Sequence, residues 1–126
     1  MILSEFLCYN ENRGDRMKEM EKTLSQIQKE IDDWANQFTK PYFEPLSRMA
    51  AMTEEVGEVA RVMNNIYGDK KKKDDENEKH LEEELGDLLF TLVCMANAEK
   101  IDLSKAFERK MDKVTNRDNN RWERKS

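Results

Sequence analysis

The sequence predicts an all-α fold, and three observations carry the prediction. Apolar residues recur at three- and four-residue spacings along most of the chain, the repeat of helices with one buried face. Gly and Pro are scarce, four and two in 126 residues, so few positions interrupt helical geometry. Charged residues make up 39% of the chain against 37% apolar, the balance expected of helices with highly charged outer faces. No strand pattern and no internal repeat is apparent. The length suits one domain with a modest core.

Residues 1–16 show no sustained period and are expected to form a disordered N-terminal extension. A translation start at Met17 is the alternative expectation for them. Residues 17–126 then make one domain. A first helix is expected from Glu19 to Phe38, where Leu24, Ile27, Ile31, Trp34 and Phe38 trace a narrow apolar seam. Thr39-Lys40-Pro41 should end it, because Pro41 disfavours helical geometry in the residue before it. A second helix starts near Pro45, a suitable first-turn residue, and runs through Ile66 to a stop at Gly68. Its apolar stripe is read as Met49, Met52, Val56, Val59 and Met63.

The segment "GDKKKKDDENEKH" reads as a polar loop, with acids near the next helix start, where they suit the helix dipole. A third helix is expected from Asp75 to Glu99, with Leu81, Leu85, Leu88, Leu89, Leu92 and Met95 facing the core. Asp102 is a good N-cap for a shorter fourth helix carrying Leu103, Ala106, Phe107 and Met111. The chain from Thr115 onward reads as a polar tail.

Composition excludes several function classes. A net charge of −5 lacks the basic footprint of nonspecific nucleic-acid binding. It still permits a small anionic substrate, since a bound cation can reverse the local field. The longest uncharged stretch, "LLFTLVCMANA", is well short of the ~20 residues that span a bilayer. Glu5 interrupts the apolar N-terminus, which argues against a signal peptide. Cys8 and Cys94 form no recognisable framework, and Cys94 reads as a buried thiol. A cytoplasmic protein bound neither to membrane nor to nucleic acid is expected.

The chemistry is concentrated in two acidic motifs. In "MTEEVGEVAR", Glu55 and Glu58 are three apart on one helical face, and Glu54 borders it. In "EEELGDLLF", Glu84 and Asp87 repeat that spacing among apolar residues. If the second and third helices pack antiparallel, the two pairs face each other. Four carboxylates crowded in a cleft either take up protons or bind a cation. All-oxygen ligation selects a hard ion, Mg²⁺ or Mn²⁺, and Mg²⁺ commonly bridges carboxylates to substrate phosphates. An EExxE run alone is usually a solvated face. The second acidic pair, and a glycine in each cluster (Gly57 and Gly86, expected where the helices approach closely), favour a site. The Glu-x-x-His pairs of a di-iron bundle, the EF-hand spacing and the P-loop are all missing. Asn64 and Asn65 end the second helix on the cleft side, where they could hydrogen-bond a base or sugar. Lys70 to Lys73 could steer phosphates or simply be solvated.

The ordered pair EExxE (Glu54-Glu55-Val56-Gly57-Glu58) and ExxD (Glu84-Leu85-Gly86-Asp87) resembles the signature of the MazG-like all-α nucleoside triphosphate pyrophosphohydrolases. The likeness runs from about Leu24 to Arg117 and includes "EELGDLLFTLVCMANAEKIDL" and "KMDKVTNR". The small single-domain Bacillus-type members look most similar. The resemblance implies a four-helix bundle completed as a homodimer, or as a homotetramer built from two dimers. It implies Mg²⁺-dependent cleavage of a nucleoside triphosphate to the monophosphate and pyrophosphate, with Mn²⁺ as a substitute, in nucleotide-pool house-cleaning. By position, Glu55, Glu58, Glu84 and Asp87 would be the metal ligands, and Glu54 beside them would orient or deprotonate the attacking water. Lys110, Lys113, Asn116 and Arg117 resemble the family's phosphate-contacting patch. Helix-one aromatics contribute to the nucleotide pocket in similar enzymes, which makes Trp34 and Phe38 base-binding candidates together with Asn64. The alternative of another class is a non-catalytic helical dimerisation or binding module with a structural metal.

Overall fold

The computed structural model describes residues 21–69 and 77–126. The expectations for residues 1–16, for the helix starts at Glu19 and Asp75 and for Lys70 to Lys73 lie outside the described residues. Within them the chain forms four helices and no strand: α1 (Leu24–Ala35), α2 (Pro45–Tyr67), α3 (Asn77–Ala98) and α4 (Leu103–Arg117). No helix among the described residues is long and apolar enough to cross a membrane.

Each helix end has a local cause. Thr23 caps α1 in a capping box: its hydroxyl accepts from the Gln26 amide at 3.2 Å, and the Gln26 side chain accepts from the Thr23 amide at 2.8 Å. This helix stops at Ala35, short of the expected Phe38. The amides of Gln37 and Phe38 instead donate to Trp34 and Ala35, tightening the last turn. Pro45 opens α2, and the Gly68 amide closes it on the Asn64 carbonyl at 2.9 Å. The chain leaves α3 through a Schellman turn. Ile101 donates to the Ala96 carbonyl at 2.8 Å, Lys100 donates to that of Asn97 at 3.1 Å, and Lys100 takes a left-handed φ of 56°. Asp102 caps α4 by accepting from the Lys105 amide at 3.1 Å. The helix then continues past Thr115, expected to begin the tail, to Arg117. The Thr115 hydroxyl donates back to the Met111 carbonyl at 2.7 Å.

α2 and α3 form the main packed pair, with α1 against α3 and α4 against α1. Arg48 near the start of α2 bonds Glu99 just beyond the end of α3, and Arg61 approaches Glu84. The pairing runs antiparallel, as expected. Val62 of α2 and Val93 and Ala96 of α3 are buried, with Ala35 of α1. An amide cluster joins the other helices. The Gln28 side chain donates to Asn97 and to the Ile101 carbonyl and accepts from the Leu103 amide, while the Asn97 amide donates to the Gln28 carbonyl.

The apolar stripes differ from the expected ones. On α2 the inward row is Arg48, Met52, Glu55, Val59, Val62 and Ile66, while Met49, Val56 and Met63 are exposed. The expected row is thus rotated by one residue at most positions. On α3 the expected core residues Leu85, Leu89 and Leu92 are exposed and Val93 and Ala96 lie inside. Both helices carry a second apolar row that this chain alone does not cover. Gly57 and Gly86 border open space, with nothing within 4 Å of an added Cβ. Close approach of α2 and α3 therefore does not account for either glycine.

Candidate metal centre and aromatic cleft

The rotation of the α2 stripe brings Glu55 into the inward row. From there its carboxylate meets two from α3. One oxygen each of Glu55, Glu84 and Asp87 lies within 4.8 Å of the other two. The i, i+3 spacing puts Glu84 and Asp87 on one face of α3, and the antiparallel register carries Glu55 to them. Crowding acts on Glu55 in particular. Desolvation raises its carboxyl above the usual range, and the charges of Asp87, Glu84, Glu58 and Glu54 raise it further.

Glu58 is not part of this trio. Its carboxylate accepts two bonds from Arg61, from Nε at 2.9 Å and Nη2 at 2.7 Å. The same Nη2 stands 3.9 Å from Glu84, so Arg61 bridges the two acidic motifs. Glu54 is exposed on the neighbouring face of α2. The structure therefore assembles three of the four expected ligands and holds the fourth on an arginine that the sequence did not single out. Three converging carboxylate oxygens suit a hard divalent cation. Opposite ligands of Mg²⁺ lie about 4 Å apart, within small side-chain adjustments of the observed spread.

One turn along the helices from the trio lies a cleft of about 370 Å³. Its walls include Trp34 and Phe38 from the α1 end, Arg48 and Ala51 from α2, and Phe90 and Cys94 from α3. The Trp34 ring meets Phe38 edge-on with centroids 5.1 Å apart and Phe90 at 5.8 Å. Burial pushes the Cys94 thiol up, so it is a poor nucleophile. Tyr42 also lines the cleft, and its hydroxyl donates to Asp32 at 2.5 Å. Desolvation and that bond push its pKa up to about 12.

The other expected binding residues lie elsewhere. Asn64 is near the opposite end of α2 from the cleft, and its side chain covers Gly68, occupying the space a Cβ would need there. It is thus separated from Trp34 and Phe38, and the buried residue of that pair is its neighbour Asn65. Lys110, Lys113, Asn116 and Arg117 are exposed on α4. Arg117 is forked onto Asp118 at 3.1 Å, and Arg121 reaches the same carboxylate at 3.6 Å. Nothing in the sequence singles out Arg48 or Arg61, because a partner's position depends on helix register. Phe90 could have been found by its spacing, three residues after Asp87 on a helix already expected.

Residues 43–122 match the MazG nucleotide pyrophosphohydrolase domain. The chain is 50% identical over 105 residues to YpjD of Bacillus subtilis strain 168, covering 83% of this chain and 95% of that protein. The crystal structure of B. subtilis YpjD is similar at a TM-score of 0.70 and 50% identity, over 74% of this chain and 95% of that one. A crystal structure of the Bacillus-conserved MazG protein, described as a nucleotide pyrophosphohydrolase, aligns at a TM-score of 0.67 and 47% identity, over 78% and 95%. An all-helical fold with acidic motifs on two antiparallel helices, matched along most of its length, makes this chain a member of the MazG nucleotide pyrophosphohydrolase family, hydrolases acting on acid anhydrides.

Proposed function

We propose that this chain hydrolyses a nucleoside triphosphate to the monophosphate and pyrophosphate, using Mg²⁺ or Mn²⁺ held by Glu55, Glu84 and Asp87. The observation that carries the reading is the meeting of those three carboxylates beside an aromatic cleft. When bound, the cation would neutralise phosphate charge and lower the pKa of a water. Glu58, once freed from Arg61, would complete the set of residues that hold the cation. Glu54, beside Glu55, orients the attacking water. Trp34 and Phe38, with Phe90, stack on the base and keep water from it. The likeness of "KMDKVTNR" to the family, and not their place in this chain, supports Lys110, Lys113, Asn116 and Arg117 as the groups that stabilise charge on the departing pyrophosphate, for which Arg117 must leave Asp118. The exposed apolar rows on α2 and α3 are consistent with a homodimer or homotetramer as the working form. Nucleotide-pool house-cleaning in the cytoplasm is the role that fits a small enzyme of this family.

The test is a panel of nucleoside triphosphates with Mg²⁺ or Mn²⁺, measuring pyrophosphate and orthophosphate separately. Pyrophosphate with an equal amount of monophosphate is expected. Glu58→Gln should keep the fold and lose most of the turnover. Orthophosphate as the first product would refute the reaction. No turnover of any triphosphate would favour a binding module with a structural metal.

A further inference from the structure

Arg61 is a cation that the structure places against the carboxylate trio. Its Nε and Nη2 both donate to one oxygen of Glu58, and Nη2 stands 3.9 Å from Glu84. Its Nη1 makes no bond among the described residues. The side chain is 49% exposed, so the guanidinium is open to a ligand.

The two helices set out the site along one line. On α2, Arg48 and Ala51 line the aromatic cleft, Glu55 follows in the trio, and Glu58 and Arg61 come after it. On α3, running the other way, Cys94 and Phe90 line the cleft, and Asp87 and Glu84 come next. The cleft and Arg61 are therefore on opposite sides of the trio. From Glu55 to Arg61 is six residues, roughly 9 Å of rise. A nucleotide with its base in the cleft would stretch along that line. The phosphate next to the sugar would fall at the trio, and the outer phosphates would run on past Glu84 toward Arg61.

Arg61 has the chemistry for those phosphates. A guanidinium presents its donors as a planar fork that matches phosphate oxygens, in bonds stronger than those between neutral groups. Glu58 occupies part of that fork, and Glu58 is also the acid that the proposed reaction needs on the cation. One exchange would serve both groups. Glu58 would swing to the cation, and the guanidinium it gives up would turn to the incoming phosphates.

We propose that Arg61 binds the outer phosphates of the substrate, exchanging Glu58 for them as the site fills. The proposal rests on the reading of the trio as the cation site of a nucleoside triphosphate hydrolase, and its test separates the two. Mg²⁺-saturated protein is titrated calorimetrically with magnesium pyrophosphate, which carries the outer phosphates without a base. KM is measured alongside over the triphosphate panel. Arg61→Gln should weaken pyrophosphate binding about tenfold, the low end for charge-assisted bonds because the guanidinium is half exposed, and should raise KM by a similar factor. Arg61→Lys restores the charge without the fork and should recover binding to within about threefold of the parent. Lys29→Gln removes a positive charge from the exposed side of α1 and should leave pyrophosphate binding within about twofold. Circular dichroism should be the same for all of them. Pyrophosphate binding that is absent in the parent, unchanged in Arg61→Gln or weakened equally by Lys29→Gln would overturn the assignment. Triphosphate hydrolysis by Arg61→Gln at the parent's KM would leave the reaction standing and remove Arg61 from it. Pyrophosphate held through Arg61 with no triphosphate hydrolysed would uphold the phosphate site while removing the proposed reaction.

Discussion

The bridge made by Arg61 turns the fourth expected ligand into a quantitative prediction. In the structure Glu58 is claimed by Arg61 through two charge-assisted bonds, and Arg61 also approaches Glu84. For Glu58 to turn toward the trio, that pair must break. Both side chains are about half exposed, 49% and 47%, so the pair contributes only what a surface ion pair does, about 0.5–1 kcal/mol for this forked geometry. At 1.36 kcal/mol per tenfold, that is about two- to fivefold in the fraction of Glu58 free to bind. Arg61→Gln should therefore tighten Mn²⁺ binding by about two- to fivefold, read by calorimetric titration of the full chain near 0.1 M salt. Raising the salt should shrink the difference, because the pair is screened. Glu58→Gln should weaken binding in either background. Unchanged or weaker affinity in Arg61→Gln, with Glu58→Gln binding like the parent, would show that Glu58 belongs to its arginine and not to the metal.

Three further outcomes follow from the fold. Lys100→Gly should stabilise the protein by about 1 kcal/mol, raising Tm by roughly 3–6 °C in a thermal melt, because glycine adopts the left-handed φ of 56° without the cost that a Cβ carries. Tyr42→Phe should cost about 1 kcal/mol near neutral pH by removing the bond to Asp32. The Tyr42 pKa is raised in the folded state to about 12, so its stabilisation is complete below the ordinary value near 10 and is lost as pH rises toward 12. The gap between Tyr42→Phe and the parent in urea midpoint should accordingly close over that range. Val93→Ala should cost roughly 2–3 kcal/mol, seen as a lower urea midpoint with an unchanged slope, because Val93 is completely buried between helices.

The parts of the fold legible in the sequence were those set by local chemistry. Pro45, Gly68 and Asp102 marked helix ends because capping and backbone geometry act within a few residues. Glu84 and Asp87 were legible as a pair because the three-residue spacing puts them on one helical face, whereas the same spacing in the first motif also picked out Glu58, which lies outside the trio. The choice of inward row on α2 was not. Met52 and Val59 belong to the expected and the observed row alike; periodicity alone does not show that Arg48, Glu55 and Val62, each one residue before Met49, Val56 and Met63, complete it. The packing of α3 decides between them, and in deciding moves Glu55 from beside the inward row into it. Asn64 lies toward the far end of α2 from the cleft, with its side chain beside Gly68.

The antiparallel register of α2 and α3 has a consequence for how such a site can be kept or lost. The trio is assembled from two rigid rods, and a slide of one rod by a single turn would displace Glu55 from Glu84 and Asp87 by about 5.4 Å, more than the whole spread of the cluster. The Arg48–Glu99 pair at the far end of the same two rods would break in that slide, stranding a buried cation. That pair therefore works as an alignment pin: it penalises the slipped register, and the carboxylate trio inherits the accuracy. An exchange of core residues that preserves this alignment leaves the chemistry intact, whereas one that tolerates slippage would disarm it with every carboxylate still in the sequence.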